Sequence, residues 1–430
     1  MNQTHSKVTP GLLIDLESRG LVHEYSDPSL GRMLDSAPMT LYCGFDPTAD
    51  SLHAGHLIPL LTLARFQKYG HHPIVVMGGG TGMIGDPSGK SEERNLLDLE
   101  TLQHNLSSQR PQFANILDFN AEENPALIVN NYDWLTDLDL LGFLRDIGKH
   151  LPMSIMLSRE SVHRRMASKT GLSFTEFTYQ AIQAYDFYHL YITADCHLQV
   201  GASDQYGNIL AGIDLIRRME GSENPASALV FPLLTTSAGQ KMGKTARGAI
   251  WLDPKKTSPF DWYQYWLNTS DADVVRYLHM LTMIELDEID DIVEHGSADP
   301  EKRLAQRTLA FELTSMVHGK QTAENAKVAS ENVFGSSTGT VDDKGEAPIT
   351  TISRTLVAEG LPMSKALVGA GLATSNAEAK RLIRQGGVYL DHIRLSPDKL
   401  VLLEADFDHK GLALLAVGSR NRAVLQITEG

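Results

Sequence analysis

Two histidines three residues apart, His53 and His56, close the stretch YCGFDPTADSLHAGH at residues 42–56. A short apolar strand (Thr40, Leu41, Tyr42) runs into a Gly-Phe-Asp-Pro-Thr turn. An amphipathic helix with Leu57, Leu60, Leu61 and Ala64 as its apolar positions then follows the histidines. A strand that breaks into a helix N-terminus leaves backbone N–H groups pointing outward, and the helix dipole favours an anion there. Both histidines fall on one helical face and could reach the same phosphate. Gly55, without a Cβ, would let a nucleotide lie on the backbone. By itself the tetrapeptide is equally consistent with surface histidines beside a cap. A second chemical stretch lies far downstream, GQKMGKT at residues 239–245, where Lys241 and Lys244 sit on a glycine-flanked loop. Mobile ammonium groups suit a pyrophosphate whose charge grows as it departs. A third is a helical face carrying Tyr179, Gln183 and Asp186 at i, i+4 and i+7. Taken alone, Asp186 reads more simply as a carboxylate on a helix surface.

These groups need elements to hold them. Residues 72–77 (HPIVVM) read as a buried strand delivering the glycine cluster 78–82 and the loop Gly85-Asp86-Pro87-Ser88 to a ligand. A strand over residues 127–132 ends in polar residues. Residues 174–191 read as a helix, and a further strand from His197 ends in the turn Gly201-Ala202-Ser203-Asp204-Gln205. Strands alternating with helices as far as Leu234 predict an α/β fold with a doubly wound parallel sheet and its site at the strands' carboxyl ends. From Ser258 to about Val333 the pattern is helical, with Thr269-Ser270-Asp271 as a cap before Val274, Val275, Tyr277, Leu278 and Leu281. Trp262, Tyr263, Tyr265 and Trp266 cluster with few basic residues, which favours core packing over RNA stacking. The Gly/Ser/Thr-rich residues 334–345 predict a flexible linker before a small tail.

The chain of 430 residues is long enough for two or three domains, and 42% hydrophobic with 21% charged residues describes an ordinary globular composition. Two cysteines exclude a disulfide framework and a multi-cysteine zinc site. The first twenty residues hold no apolar signal core, and no run approaches membrane-spanning length, so a cytoplasmic protein with no membrane partner is expected. The net charge of −15 argues against RNA binding over the whole surface. From Gly360 onward, however, nine Lys/Arg exceed seven Asp/Glu, so any basic strip lies in the tail.

The pairing of HAGH after a first strand with KMGKT after a late one resembles the class I aminoacyl-tRNA synthetases, whose signatures are written HIGH and KMSKS. The residues between narrow the likeness to the bacterial-type tyrosyl-tRNA synthetases, over nearly the whole chain. The resemblance implies a Rossmann-like catalytic domain (residues 1–245), an α-helical anticodon-side domain (246–333), a linker (334–358) and a small α+β RNA-binding domain (359–430). It implies ATP as substrate with Mg2+, L-tyrosine and tRNA(Tyr) as partners, a homodimer, and no protein-held metal site. The reaction would be attack of a carboxylate on the α-phosphorus of ATP, so the protein need supply no nucleophile, only position and charge stabilisation.

By the same resemblance Thr48 and His53 would act on the phosphate side, His56 nearer the ribose, and Lys241, Lys244 and Thr245 would clamp pyrophosphate. Asp46, Gly55, Gly201 and Asp204 would hold the rest of ATP. Asp186 and Tyr42 would bind a phenolic hydroxyl, Tyr179, Gln183 and Asp86 the substrate ammonium, with Gln205 beside them. Cys43 would be a weak ribose partner or simply a small buried strand residue. Lys90 and Arg94 would touch the tRNA acceptor end, or form a solvated charge run. Ala54 and Gly243 depart from the written signatures, and Gly243 should loosen its loop. Ala202 and Tyr206 also stand where glycine and tryptophan are common, which leaves the flanks of that turn less defined.

The tail, with Asn376, Lys380, Arg381, Arg384, Gly386 and Gly387, resembles a small RNA-binding module shared with a ribosomal small-subunit protein. Ser375 or Asn376 would cap its helix, Lys380, Arg381 and Arg384 would face phosphates, and Arg394 and Lys399 would extend the strip. A purely structural basic helix is the plainer alternative. Three other functions fit parts of the pattern. A tryptophanyl-tRNA synthetase would share the fold, but the Tyr42–Asp186 pair and the tail weigh against it. A small nucleotidylyltransferase uses HxGH but is usually shorter. A non-catalytic RNA binder would not need the intact His53, His56, Lys241 and Lys244.

Overall fold

The computed structural model describes all residues except 1–10, 89–96, 168–170, 222–225, 238, 240–241, 246–247, 335–348, 392, 397, 408–410, 419–420 and 429–430. The chain forms two compact units. Met1–Lys256 with Thr269–Ala305 make the first, and Thr257–Asn268 with Gln306–Gly430 make the second.

The first unit is built on a six-stranded sheet of β1 (Glu24–Tyr25), β2 (Thr40–Phe45), β3 (His72–Met77), β4 (Leu127–Asn130), β5 (Cys196–Ala202) and β6 (Ser227–Phe231). Their spatial order is β1-β6-β5-β2-β3-β4, parallel throughout except for the antiparallel edge β1. This is the doubly wound sheet expected. The order reverses between β2 and β5, where Tyr42 pairs with Gln199, and such a switch point opens a crevice at the strands' carboxyl ends. β3 and β6 are buried almost end to end, as strands covered on both faces must be. Leu57–Lys68 follows the histidines, with nine of its residues buried, and Phe174–Ala194 and Tyr206–Glu220 pack on the sheet. A short hairpin of β7 (Lys244–Thr245) and β8 (Gly248–Ala249) also belongs to this unit.

The second unit holds the helix Pro259–Leu267, most of Leu304–His318, and Lys320–Phe334. Its strands are β9 (Ile349–Ser353), β10 (Leu361–Pro362), β11 (Val388–Leu390), β12 (Ile393–Arg394), β13 (Val401–Leu402), β14 (Leu412–Val417) and β15 (Asn421–Thr428). A five-stranded sheet runs β12-β11-β14-β15-β9, while β10 and β13 pair separately. Val357, Met363, Leu367, Ile383, Val388, Leu415 and Leu425 form its main core. Trp262, Tyr263 and Trp266 are buried, in keeping with the core reading of that aromatic cluster.

The two units cut the chain differently from the expected domains at three places. The segment 246–333 divides between the units, because Asp271–Leu281 and Leu286–Ala298 belong with the first. The tail 359–430 is one unit with the preceding helices rather than a separate body. β14 is apolar on both faces, and its Leu412 and Leu414 pack with Val424 of β15 against Phe260 and Ala329. Finally, the end of the proposed linker is structured: residues 349–353 are β9, paired in parallel with β15, and Arg354–Ala358 is helical. Residues 335–348 lie outside the described residues.

Candidate active site

Where β2 ends, the chain turns through Asp46, Pro47 and Thr48 and reaches a 3-10 turn at Ala54–His56. The histidines hold each other's backbone. His53 Nδ1 accepts from Gly55 N–H at 3.1 Å, and His56 Nδ1 accepts from His53 N–H at 3.0 Å. Their rings lie 4.1 Å apart. An accepting Nδ1 puts the proton of a neutral imidazole on Nε2, leaving an N–H donor on each ring. Burial, reinforced by the neighbouring His53, pushes His56 down to about 3, so it stays neutral at ordinary pH.

The second signature meets this turn. Ala54 N–H donates to Ile250 O at 2.8 Å and Leu252 N–H to Leu52 O at 2.8 Å, while Trp251 stands edge-on to His53. Ile250 N–H in turn donates to Gly243 O at 2.9 Å. Gly243 has φ +80°, and a Cβ there would lie 3.1 Å from Gly55 N. Glycine is the residue that this backbone and this close approach require. Lys244 and Thr245 are placed by backbone, in β7. Lys241, like Lys90 and Arg94, lies outside the described residues.

A cavity of about 420 Å³ opens at the switch point, lined by Thr48, His53, Gly55, His56, Gly201 and Asp204 as well as by Tyr42, Asp86, Tyr179, Gln183, Asp186 and Gln205. Sequence reasoning thus gathered most of one site. At its inner end Asp186, 3% exposed, accepts from Asn131 Nδ2 at 2.9 Å and from Trp134 Nε1 at 2.8 Å. Burial raises its carboxyl to about 7, against the lowering effect of these two donors. Tyr42, 2% exposed, keeps a hydroxyl with no hydrogen-bond partner among the described residues. Its phenol is pushed well above the usual range by burial and then by Asp186.

Asp46 belongs to this network as well as to the cavity wall. It accepts from Tyr179 OH at 2.9 Å and from Thr81 Oγ1 at 2.8 Å, and Asn131 donates to Thr81 at 3.0 Å. Gly78 is required beside it, since a Cβ would fall 2.2 Å from Asp46 Oδ1. Gln205 Nε2 donates to Asp86 at 2.7 Å, and Asn208 donates to Gln183 at 3.0 Å. Asn131, Trp134, Thr81 and Asn208 were missed. The polar end of the strand over 127–132 was the signal available for Asn131. Nothing in the sequence brings Trp134 to Asp186. Cys43 also lines the cavity, its thiol pushed up to about 12 by burial and so held protonated.

In the second unit, Ser375 rather than Asn376 caps Asn376–Arg384, accepting from Glu378 N–H at 3.2 Å. Lys380, Arg381 and Arg384 are exposed on this helix. Arg394 is exposed beside the end of this helix. Its guanidinium donates to the carbonyls of Gly386 at 2.7 Å and Gln385 at 3.4 Å, closing the helix end. Lys399 is paired with Asp406.

A family profile described as class I tRNA synthetases (W and Y) matches residues 34–335. A tyrosine–tRNA ligase of Roseiflexus castenholzii is 49% identical over 390 residues, covering 89% of this chain and 91% of that protein. A tyrosine–tRNA ligase of Rhodopirellula baltica is 45% identical over 437 residues, covering 100% and 99%. Among solved structures, a C-terminally truncated mitochondrial tyrosyl-tRNA synthetase of Aspergillus nidulans superposes with a TM-score of 0.70 at 33% identity, covering 76% of this chain and 95% of that one.

Proposed function

The chain belongs to the class I tRNA synthetases of the tryptophan and tyrosine group, and we propose from its site that it works as a tyrosine–tRNA ligase in the following way. Tyrosine's carboxylate attacks the α-phosphorus of ATP, pyrophosphate leaves, and tyrosyl-adenylate remains bound. A hydroxyl of the 3'-terminal adenosine of tRNA(Tyr) then attacks the activated carbonyl and releases AMP. One observation carries the choice of amino acid: a buried carboxyl, Asp186, held by Asn131 and Trp134 in a cavity that also holds the Tyr42 hydroxyl, which has no hydrogen-bond partner among the described residues. A phenol supplies what that pair lacks. Phenylalanine would leave buried polar groups unmatched, a mode of rejection for which tyrosyl-tRNA synthetases are the standard illustration.

The roles are those that the resemblance implies, and the shared cavity lining supports them. Tyr179, Gln183, Asp86 and Gln205 surround the substrate's ammonium and carboxylate, with Asp46 adding negative charge through Tyr179. Thr48, His53 and the backbone at Gly55 face the phosphates, where N–H and O–H donors stabilise charge at the five-coordinate phosphorus. His56 lies deeper, and Gly201 and Asp204 hold the ribose. Lys241, Lys244 and Thr245 close on pyrophosphate. Mg2+ would accompany ATP and offset the charge of its phosphates, a role that needs few protein ligands. Lys90 and Arg94 guide the acceptor end, and Lys380, Arg381 and Arg384 bind tRNA phosphates.

The working form is a cytoplasmic homodimer in this reading. The exposed Leu140, Leu141, Leu144, Met153, Met166 and Phe174 of the first unit support a self-association surface, and no described helix is long and apolar enough to cross a membrane. Tyrosine-dependent ATP–pyrophosphate exchange tests the core of the proposal, with phenylalanine and tryptophan in parallel. Exchange with tryptophan alone would keep the fold and overturn the amino acid.

A further inference from the structure

The chain leading into KMGKT is held by a helix that carries no reacting group. Asp271–Leu281 presents Asp273, 5% exposed, to residues 235–237. Asp273 Oδ1 accepts from Ser237 N–H at 2.8 Å, and Oδ2 faces the Ser237 hydroxyl at 3.2 Å. Arg276 and Tyr277 both donate to the Thr235 carbonyl, Tyr277 at 3.0 Å. Asp273 is itself fixed by Ser270 Oγ at 2.8 Å and by Arg276 at 3.2 Å. Beside this root, Met242 N–H donates to Leu234 O at 2.9 Å, so the stretch between Leu234 and Met242 is pinned at both ends.

The other end of the same helix is tied to the first signature. Arg65, on Leu57–Lys68, donates to Thr282 O, and Arg19 donates to Ile284 O at 2.8 Å and His279 O at 3.4 Å. The two guanidinium groups share Asp15, and all three side chains are buried. Helix Asp271–Leu281 therefore spans from the histidine helix to the root of the lysine loop. Asp273 spends its carboxylate on an amide outside its own helix, although a first-turn aspartate could have served the helix's own free N–H groups.

We propose that Asp273 is a positioning residue for adenylate formation, setting the root of the KMGKT loop relative to the HAGH turn through Ser237. It touches no substrate. Its removal leaves the tyrosine pocket intact and misplaces the groups that meet pyrophosphate, so the loss falls on the chemical step and not on tyrosine affinity. The inference rests on the ligase reading given above.

Full-length Asp273→Ala, Asp273→Asn and Tyr277→Phe chains test it, with rapid-quench adenylate formation, tyrosine Kd by calorimetry and thermal melting measured on each. Asp273→Ala should slow adenylate formation at saturating ATP by about ten- to a hundred-fold, the scale of a small misplacement, with tyrosine Kd within about twofold. Asp273→Asn keeps an acceptor for Ser237 N–H and should recover most of that rate. Tyr277→Phe removes one bond to Thr235 and should slow the same step severalfold, which keeps the proposal exposed if Asp273→Ala does not fold. An unchanged rate in folded Asp273→Ala, an unchanged rate in Tyr277→Phe where the alanine variant does not fold, or a tyrosine Kd that worsens in step with the rate, would overturn it. No exchange by the unmodified chain would instead overturn the ligase reading.

Discussion

Asn131 donates one amide hydrogen to Asp186 Oδ2 at 2.9 Å and one to Thr81 Oγ1 at 3.0 Å, which joins the phenol end of the cavity to Asp46 and Tyr179. The amide thus orients two carboxylates at once. It also opposes the effect of burial, which raises Asp186 to about 7 from an ordinary 3.8. In the empty site the carboxyl is largely protonated below pH 7, and the ionised form is the stronger acceptor for a phenol O–H. Tyrosine should therefore bind about tenfold tighter at pH 8 than at pH 6, by linkage. Calorimetric Kd values across that range check this, and a flat profile counts against it. Stability moves the other way. Between about pH 4 and 7 the folded chain holds a proton that the unfolded chain has lost, so this carboxyl's contribution falls as pH rises through that window.

Removing the amide sharpens the same test. Asn131→Ala takes away a lowering influence on Asp186, so the midpoint of the tyrosine-binding profile should move upward. Leaving the carboxylate short of a donor should weaken tyrosine binding at pH 8 by about 1–3 kcal/mol. A variant with the parent's midpoint would show that the amide is a packing group only.

His56 makes a prediction of opposite sign. Burial, with His53 adding to it, lowers its folded value to about 3 from 6.5. The unfolded chain takes up a proton below pH 6.5 that the folded chain refuses, so His56 costs stability as pH falls. His56→Asn offers an acceptor to His53 N–H without that ionisation. Relative to the parent it should gain about 2 kcal/mol between pH 7 and pH 5, measured by urea unfolding at both values. Adenylate formation in the parent should show no inflection belonging to His56 between pH 5 and 8.

The fold was legible where periodicity and punctuation agreed. Strands β2, β3 and β5, the helix at Phe174–Ala194 and the carboxyl-end site all follow from apolar runs that stop at glycine or at polar turns. Within the site, His53 and His56 could be found because they sit in a motif of fixed spacing, whereas Asp186 was reached through the family resemblance. Asn131 and Trp134 could not, because their partner lies on another element and no local spacing encodes a bond between them. The domain boundaries failed for a related reason. Asp271–Leu281 looks like its helical neighbours in sequence, and only its buried ties to Arg19, Arg65 and Ser237 assign it to the first unit. Likewise β9 reads as the end of a linker until β15 supplies its partner.

Gly243 offers a test of the joint between the two signatures. At φ +80° any side chain is strained, and a Cβ would press on Gly55 N at 3.1 Å. Gly243→Ala and Gly243→Ser should each cost about 1–3 kcal/mol in the loop's packing against the turn. The expected reading is slower ATP–pyrophosphate exchange with unaltered tyrosine Kd. Faster exchange with serine would mean that the packed arrangement restrains the working loop.

The tail should act on tRNA alone. Lys380, Arg381 and Arg384 are exposed on Asn376–Arg384, and only Arg381 has an acidic neighbour within reach, Glu378 at 3.7 Å, among the described ion pairs. Three phosphate contacts release counterions on binding, so the logarithm of affinity should fall with the logarithm of salt by about 0.9 per contact on a duplex and about 0.7 on a single strand. Replacing all three by alanine should weaken tRNA(Tyr) binding at low salt and flatten that slope by about two to three units, while tyrosine-dependent ATP–pyrophosphate exchange stays at the parent's rate. Because the chain's acidity lies before Gly360, the loss should be greatest at low ionic strength, where local attraction must overcome repulsion from the rest of the protein. An unchanged slope would return this helix to a structural role. A loss of exchange together with tRNA binding would tie the tail to the chemistry of the first unit.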